Sequence, residues 1–262
     1  MILDRFNIDG QVAIVTGAGR GIGAGSALAL AECGADIVLA ARTQTQLDEV
    51  AAQIEALGRK AVTVACDLSD LDAVGRLAEV ATAELGRIDI LVNNVGGTMP
   101  RPLMDTSPRF LEEAFHFNVA TAHALVWASV PTMLETDGGA IVNIASVIGR
   151  VAGRGYVGYG TAKGALIHYT KLISKDLAPR IRVNAVGVGS TATSALDIVT
   201  STPELKETME SMTPLRRLGT VEDIATAVAY LATPAGGYVT GKTLEVDGGI
   251  DVPNLDFGMP DL

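Results

Sequence analysis

A short apolar segment, Val12-Ala13-Ile14-Val15, runs directly into Thr16-Gly17-Ala18-Gly19-Arg20-Gly21-Ile22-Gly23. That junction restricts the fold more than any other stretch of the chain. A strand, a glycine turn and a helix opening on small residues together build a seat for a phosphate. Glycine lets the main chain approach an anion closely. The helix start adds unpaired N–H groups and the positive end of a dipole. Gly17, Gly19, Gly21 and Gly23 therefore mark a nucleotide site, and a dinucleotide is the expected guest.

The rest of the chain repeats the alternation of strand and helix. Apolar runs at 12–15, 36–41, 61–66, 88–92, 140–144, 182–188 and 243–246 read as strands. Helical patterns cover 22–33, 44–56, 71–84, 109–134, 156–177 and 221–232, with Gly34 and Gly58 closing the first two. This order predicts an α/β fold, a doubly wound, Rossmann-type parallel sheet of about seven strands with helices on both faces. No linker, repeat or composition break divides residues 1–262, so a single dinucleotide-binding domain is expected. Its crevice should lie at the carboxyl ends of the strands, at the topological switch point. Arg42, Asp67, Asn94, Ser146 and Gly189 all fall at such ends.

Composition removes other classes. Apolar residues make up 48% of the chain and charged ones 19%, which excludes a disordered chain. No apolar run reaches membrane-spanning length, and the first residues lack a basic cluster followed by an apolar stretch. A soluble, cytoplasmic protein is the expectation, with no membrane partner. A formal net charge of −10 argues against nucleic acid. Cys33 and Cys66 read as isolated reduced thiols. His116, His123 and His168 have no metal-ligand spacing, so no metal is expected.

The end of the second strand selects among dinucleotides. A free ribose 2′-OH usually meets an Asp or Glu about 20 residues past the glycine turn. Here that end reads Leu39-Ala40-Ala41-Arg42-Thr43, and Asp36 lies at the opposite end of the strand. Arg42 and Arg20 instead offer two guanidiniums to a 2′-phosphate, which favours NADP(H) over NAD(H).

Tyr159 and Lys163 are spaced i, i+4 within Tyr159-Gly160-Thr161-Ala162-Lys163, on one face of a helix. Ser146 follows the fifth strand, and Asn118 lies in the long helix before it. Together with the glycine turn, Asp67-Leu68, Asn93-Asn94-Val95-Gly96, Asn118-Val119 and Val246-Asp247-Gly248-Gly249, these residues resemble the short-chain dehydrogenase/reductase family. The similarity runs from 12 to 249, and the gap of thirteen positions from Ser146 to Tyr159 is the family's usual one.

The resemblance implies a catalytic tetrad of Asn118, Ser146, Tyr159 and Lys163, with Asn118 holding a water that links Lys163 to solvent. It implies cofactor contacts at Ile22, Asp67, Leu68, Asn94, Val95, Gly96, Gly189, Thr191 and Thr193, besides the glycines, Arg20, Arg42, Tyr159 and Lys163. It also implies a homotetramer, or a homodimer, built through the two long helices. Two departures stand out. Val95 replaces the family's usual alanine, a small gain in volume. Val188 stands where a proline is usual, which is expected to free a backbone N–H and loosen the following loop.

The chemistry can be stated independently. A ketone reduced by hydride needs a proton on its oxygen, and the reverse reaction needs a base. A free phenol titrates near about 10, too high for a base at neutral pH. An ammonium at about 4 Å contributes about 4 kcal/mol at an effective dielectric of about 20, or roughly three pKa units. Lys163 is therefore expected to lower Tyr159 toward the useful range. Ser146 would donate a hydrogen bond to the substrate oxygen.

The stretch 190–214 reads as a lid over the substrate, with Leu196, Ile198, Val199, Leu205, Met209 and Met212 as apolar contacts. Ile148 and Tyr156 flank Ser146 and Tyr159 and complete the expected substrate site. Such walls suit an apolar small-molecule alcohol or ketone, for example a steroid or lipid-derived carbonyl. The alternative is a 3-oxoacyl thioester on an acidic carrier protein, for which Arg101, Arg109, Arg150, Arg154, Arg216 and Arg217 could supply a basic rim. An alternative of another class is a dinucleotide-sensing regulator without turnover, against which the retained Ser146, Tyr159 and Lys163 argue. The tail at 250–262 has two prolines and little periodicity, consistent with a subunit-crossing arm or with disorder.

Overall fold

The computed structural model describes residues 1–254, apart from the side chains of Ala195, Asp197 and Ile198. Ile198 of the expected lid wall and residues 255–262 of the tail thus lie outside the described parts. The strands are β1 (Val12–Thr16), β2 (Asp36–Ala41), β3 (Ala61–Ala65), β4 (Ile90–Asn93), β5 (Gly139–Ser146), β6 (Ile181–Val188) and β7 (Thr243–Val246). They form one parallel sheet in the order β3-β2-β1-β4-β5-β6-β7. The order reverses between β1 and β4, which opens a crevice above their carboxyl ends.

The helices are α1 (Gly21–Glu32), α2 (Gln44–Ala56), α3 (Leu71–Leu85), α4 (Pro108–Phe115), α5 (Thr121–Glu135), α6 (Val157–Leu177), α7 (Asp197–Thr200), α8 (Pro203–Met212) and α9 (Val221–Ala232). Side chains alternate across the strands, so each strand feeds two cores. Ala13, Val15, Ile37 and Leu39 pack with Leu30, Leu47, Ile54 and Val228. Val12, Ile14, Val38 and Ala40 pack on the other face with Leu77, Leu125 and Val126. The strands are apolar at nearly every position because both faces are covered.

Two devices fix α9. Helices α1 and α9 touch at Gly25, where a Cβ would stand 2.2 Å from Val221 Cγ1. On β6, the Arg182 guanidinium donates to the carbonyls of Leu231, Ala232, Thr233, Gly236 and Val239. It satisfies acceptors that the end of a helix would otherwise leave unpaired.

Three expectations change. The helix expected at 109–134 is α4 and α5 joined by a π-helical turn at His116–Ala120. Its extra residue turns Asn118 fully inward. Strand β5 continues through Ser146, so that serine sits on the sheet rather than in the loop beyond it. The lid contains α7 and α8, which escaped the sequence reading because α8 has a single buried residue, Met209, among Glu204, Lys206, Glu207 and Glu210.

Candidate active site

At the switch point the chain turns through Gly17 and Gly21, at φ +66° and +56°. Both lie in the left-handed region that favours glycine. A Cβ on Gly23 would stand 2.1 Å from the Gly17 carbonyl oxygen, so α1 lies directly on the turn. Arg20 caps α1 in extended geometry with no side-chain hydrogen bond to the first helical turn. The opening N–H groups of α1 are thereby left to a guest.

The turn is braced from β4. The Asn94 side-chain amide donates to the carbonyls of Thr16 (3.0 Å) and Gly17 (3.3 Å). Thr16 Oγ1 accepts from the Asn94 and Val95 N–H groups. Asn94 therefore shapes the seat through its side chain. Leu68 is buried in the core, so only its backbone faces the crevice side of the loop. Ile22 also packs against the core. Thr193 reaches over from the lid to within 3.7 Å of where a Gly21 Cβ would be. Thr191 is buried and bridged to Gly219. Gly189 lies against Asp247, where a Cβ would come within 2.4 Å of Asp247 Cα.

Arg20 in the glycine turn and Arg42 after β2 are exposed, and neither guanidinium is hydrogen-bonded to another described residue. Asp67 lies near Arg42. Its carboxyl titrates below the ordinary value, mainly because Ser69 donates to it from both N–H and hydroxyl, with Arg42 adding a smaller attraction.

The four residues expected to do chemistry converge from three elements. Ser146 ends β5, Tyr159 and Lys163 share a face of α6, and Asn118 occupies the π-helical turn. The Ser146 hydroxyl accepts from the Ile148 N–H at 3.2 Å and lies close enough to the Tyr159 phenol to favour its ionised form. Lys163 is 3% exposed and donates to the Ile144 carbonyl at 2.8 Å, with its Nζ 5.8 Å from the Tyr159 ring centroid. Asn118 accepts from the Gly97 N–H at 2.9 Å and donates to the Ala114 carbonyl at 2.8 Å. A Cβ on Gly96 would stand 2.6 Å from both Asn118 Oδ1 and Lys163 Nζ, so glycine keeps this corner open.

The electrostatics correct one expectation. Burial raises the Tyr159 phenol above its ordinary value, and the hydrogen bond from Ser146 offsets this only in part. Burial also lowers Lys163 to about 8. Desolvation, not a neighbouring charge, sets the direction at Tyr159.

The substrate side differs more from expectation. Val199, Met209 and Leu218 are buried together, with Leu196 and Leu205 packed on them. These residues, expected to line a substrate wall, pack on one another in a small core of their own. Met212 remains partly exposed, at 46%. Ile148 packs with Val147, Val151 and Ile250 beside Ser146. Tyr156 precedes α6, its phenol pushed up to about 12 by burial and, to a lesser extent, by Tyr159. Val188, where the family usually has proline, closes β6. It is buried in β6 and paired in register with Ser146 and Val246.

The expected basic rim is largely neutralised. Arg109 pairs with Glu113, Arg217 with Asp223, and Arg150 with Glu245, Asp247 and Asp251. Arg101 lies over the Phe110 ring at 3.5 Å. The sequence reading also missed what Arg150 does, because its acidic partners lie about a hundred residues away in the chain. His116 holds the Ser69 carbonyl at 2.8 Å and so ties the Asn118 turn to the Asp67 loop.

Among the described residues no helix is long and apolar enough to cross a membrane, and no cluster of His, Cys, Asp or Glu could hold a metal ion.

A family profile described as enoyl-(acyl carrier protein) reductase matches residues 17–251. An uncharacterized oxidoreductase of Mycobacterium tuberculosis is 57% identical over 263 residues, spanning the whole of both chains. The 7α-hydroxysteroid dehydrogenase of Escherichia coli is 36% identical, across 94% of this chain and 96% of its own. The chain belongs to the short-chain dehydrogenase/reductase family. It is an oxidoreductase acting on CH–OH groups, as its family relatives are. A 3-oxoacyl-[acyl-carrier-protein] reductase of Synechocystis is 37% identical over 92% of this chain and 96% of its own.

Solved structures of the short-chain dehydrogenase/reductase family superpose closely. One is a 7α-hydroxysteroid dehydrogenase complexed with NADH and 7-oxo glycochenodeoxycholic acid. Its TM-score is 0.90 at 36% identity, covering 94% of this chain and 96% of that one. A gluconate 5-dehydrogenase from Burkholderia cenocepacia in complex with NADP and tartrate gives 0.88 at 32% identity, over 95% and 98%.

Proposed function

We propose that this chain transfers a hydride between NADP(H) and an apolar secondary alcohol or ketone, such as a steroid or lipid-derived carbonyl, with Tyr159 as general acid and base. The observation that carries the reading is the buried Lys163 ammonium one helical turn from Tyr159, its Nζ 5.8 Å from the phenol ring, with Ser146 at the end of β5 close enough to the phenol to favour its ionised form. The residues present fit a dinucleotide. Gly17 and Gly21 open the phosphate seat, the first turn of α1 is uncapped by a side chain, and Gly96 leaves room beside Lys163.

When bound, a reduced nicotinamide dinucleotide supplies the hydride. Ser146 orients and polarises the carbonyl oxygen by donating a hydrogen bond to it. Tyr159, kept protonated by burial, delivers its proton to that oxygen. Lys163 is mostly an ammonium at neutral pH, since it titrates near about 8. Its charge stabilises the phenolate left on Tyr159, and its remaining N–H groups hold the nicotinamide ribose. Asn118, held by Gly97 and Ala114, positions the water through which the proton on Tyr159 is replaced. In oxidation the same groups act in reverse.

Preference for the 2′-phosphate rests on Arg42 and Arg20, exposed where an acid would otherwise exclude it. Solved relatives hold NADH in one case and NADP in another, so the choice falls to this chain's own side chains. The 3-oxoacyl thioester reading ranks second, because three of the arginines offered to an acidic carrier are already paired with carboxylates. Residues 1–262 act as one dinucleotide-binding unit with a lid at 190–214. Exposed Phe115, Trp127, Leu134 and Leu172 on α4, α5 and α6 support assembly through these helices into a tetramer. Two free, half-buried cysteines suit the reducing cytoplasm.

The test is purified protein with NADPH or NADH against a ketosteroid, a long 3-oxoacyl thioester and a cyclic ketone. The expected result is NADPH-dependent reduction of the ketosteroid with the highest kcat/KM. Turnover confined to the thioester would replace the substrate assignment, and no turnover with any carbonyl would overturn the reading.

A further inference from the structure

The lid begins and ends at one place. Ser190 at its start and Thr213 at its end are both bonded to a single side chain, Asn254, which arrives from the tail. Ser190 Oγ donates to Asn254 Oδ1 at 2.9 Å. Asn254 Nδ2 donates to Thr213 Oγ1 at 3.0 Å. Thr213 Oγ1 in turn donates to the Met209 carbonyl at 2.8 Å. Asn254, Thr213 and Met209 are 6%, 2% and 2% exposed, so the chain of bonds is shielded from water.

The polarity of this chain restricts position 254. Each hydroxyl has one proton. Thr213 commits its proton to Met209 and can only accept from residue 254. Ser190 commits its proton to residue 254 and needs an acceptor there. A group that accepts on one side and donates on the other is required, and an amide supplies both. A carboxylate would accept from Ser190 but turn lone pairs toward Thr213.

Three further observations make this bond chain matter for the lid. Met209 is the buried centre of the lid's apolar cluster, so the chain runs from the tail into the lid's own core. The tail is itself anchored on the other side, where Arg150 donates to the Ile250 carbonyl and meets Asp247 and Asp251. Beneath the lid base lies a cavity of about 450 Å³, bounded by Ser190, Pro214, Leu215, Gly219, Asp247 and Gly248, so close apolar packing does not hold that side. Pro253 meanwhile stands beside Tyr156, both within 3.1 Å of where a Gly153 Cβ would be.

We propose that Asn254 is a positioning residue that clasps both ends of the 190–214 lid and so sets how firmly the lid closes over the carbonyl substrate. The proposal rests on the functional reading above, in which this lid covers the substrate. Without the clasp the lid core opens more often and substrate is held less tightly, while the glycine turn keeps its own brace from Asn94.

The experiment is limited trypsin digestion of the full chain with and without NADP⁺, following cleavage after Lys206 in α8 against cleavage after Arg76 in α3. A helical site is cut only when its helix opens, so the rate reports the opening equilibrium. Asn254→Ala should speed cleavage at Lys206 by about tenfold, the fold-change expected for losing a buried hydrogen bond. Cleavage at Arg76 should not change. Asn254→Asp, which keeps the acceptor and loses the donor, should behave like the alanine variant. With the best ketone, KM should rise by a similar factor.

Unchanged cleavage at Lys206, equal acceleration at Arg76, or a wild-type rate in Asn254→Asp would each overturn the proposal. Wild-type protein that reduces no carbonyl would instead defeat the functional reading and leave the cleavage result standing.

Discussion

The two halves of the crevice are built on different principles. At the half that carries the glycine turn, the main brace joins the ends of neighbouring strands. Thr16 on β1 and Asn94 beyond β4 bond to one another across the switch point, and Gly23 packs on Gly17. The sheet order alone brings these groups together. At the substrate half, the lid and tail are held by single side chains that reach across the sequence: Arg150 to Asp247 and Asp251, and Asn254 to Ser190 and Thr213. One half inherits its rigidity from the sheet. The other depends on a few hydrogen bonds, which leaves it free to move and to vary with the guest.

This contrast predicts that substitutions sort by half. The largest effect belongs to the group shared by both. Tyr159→Phe should lower kcat by about 10²–10⁴-fold, the range typical of a lost general acid, while NADPH affinity stays within about twofold. Steady-state kinetics and fluorescence titration of NADPH check the two parts separately. Next comes Arg42→Ala, which should weaken NADPH binding by about tenfold or more through loss of charge-assisted bonds and leave NADH nearly unchanged. Equal losses for both cofactors would remove Arg42 from 2′-phosphate recognition.

Lys163 gives a smaller effect, read as stability against pH. Burial holds it near about 8 in the folded protein, below the ordinary lysine value of 10.5. Between these two values the unfolded chain binds more protons than the folded one. Lys163 therefore penalises folding below about pH 8, and the penalty fades as pH rises from about 8 toward 10.5. Lys163→Met should remove that rise, so the stability gap between the two proteins narrows with increasing pH. Urea unfolding at pH 7, 8, 9 and 10 measures it, and a constant gap would contradict the lowered value. The smallest effect is expected from Arg150→Ala. Its ion pairs are partly exposed, and such pairs contribute less than about 1 kcal/mol each. Ketone KM should rise less than about fivefold, with cofactor affinity unmoved.

The same division explains what could be read from the chain. Periodicity places β2, β7, α2 and α9 at their observed bounds; β2 is the plainest case, an apolar run buried along its middle. Ser146, Tyr159 and Lys163 sit on regular elements, β5 and α6, so their places in the fold follow from the pattern. The π-helical turn at Asn118 was invisible, because a turn that gains one residue keeps the apolar pattern on either side of it. The phenol of Tyr159 was misjudged in direction, since the i, i+4 spacing gives neither the depth of burial nor the 5.8 Å separation from Lys163. The lid's apolar residues were legible as apolar but not as each other's partners. Arg150 and Asn254 could not be found at all, because nothing local announces a partner in a distant segment.

The central claim is a hydride passed from NADPH to a carbonyl carbon with Tyr159 supplying the proton. Its most direct test is a single turnover of a ketosteroid with NADPH deuterated at the transferable position, followed by mass analysis of the product. The account predicts a secondary alcohol carrying one deuterium on its carbinol carbon, formed by the wild type and not by Tyr159→Phe with NADPH still bound. An unlabelled alcohol, or label transferred equally fast by Tyr159→Phe, would contradict it.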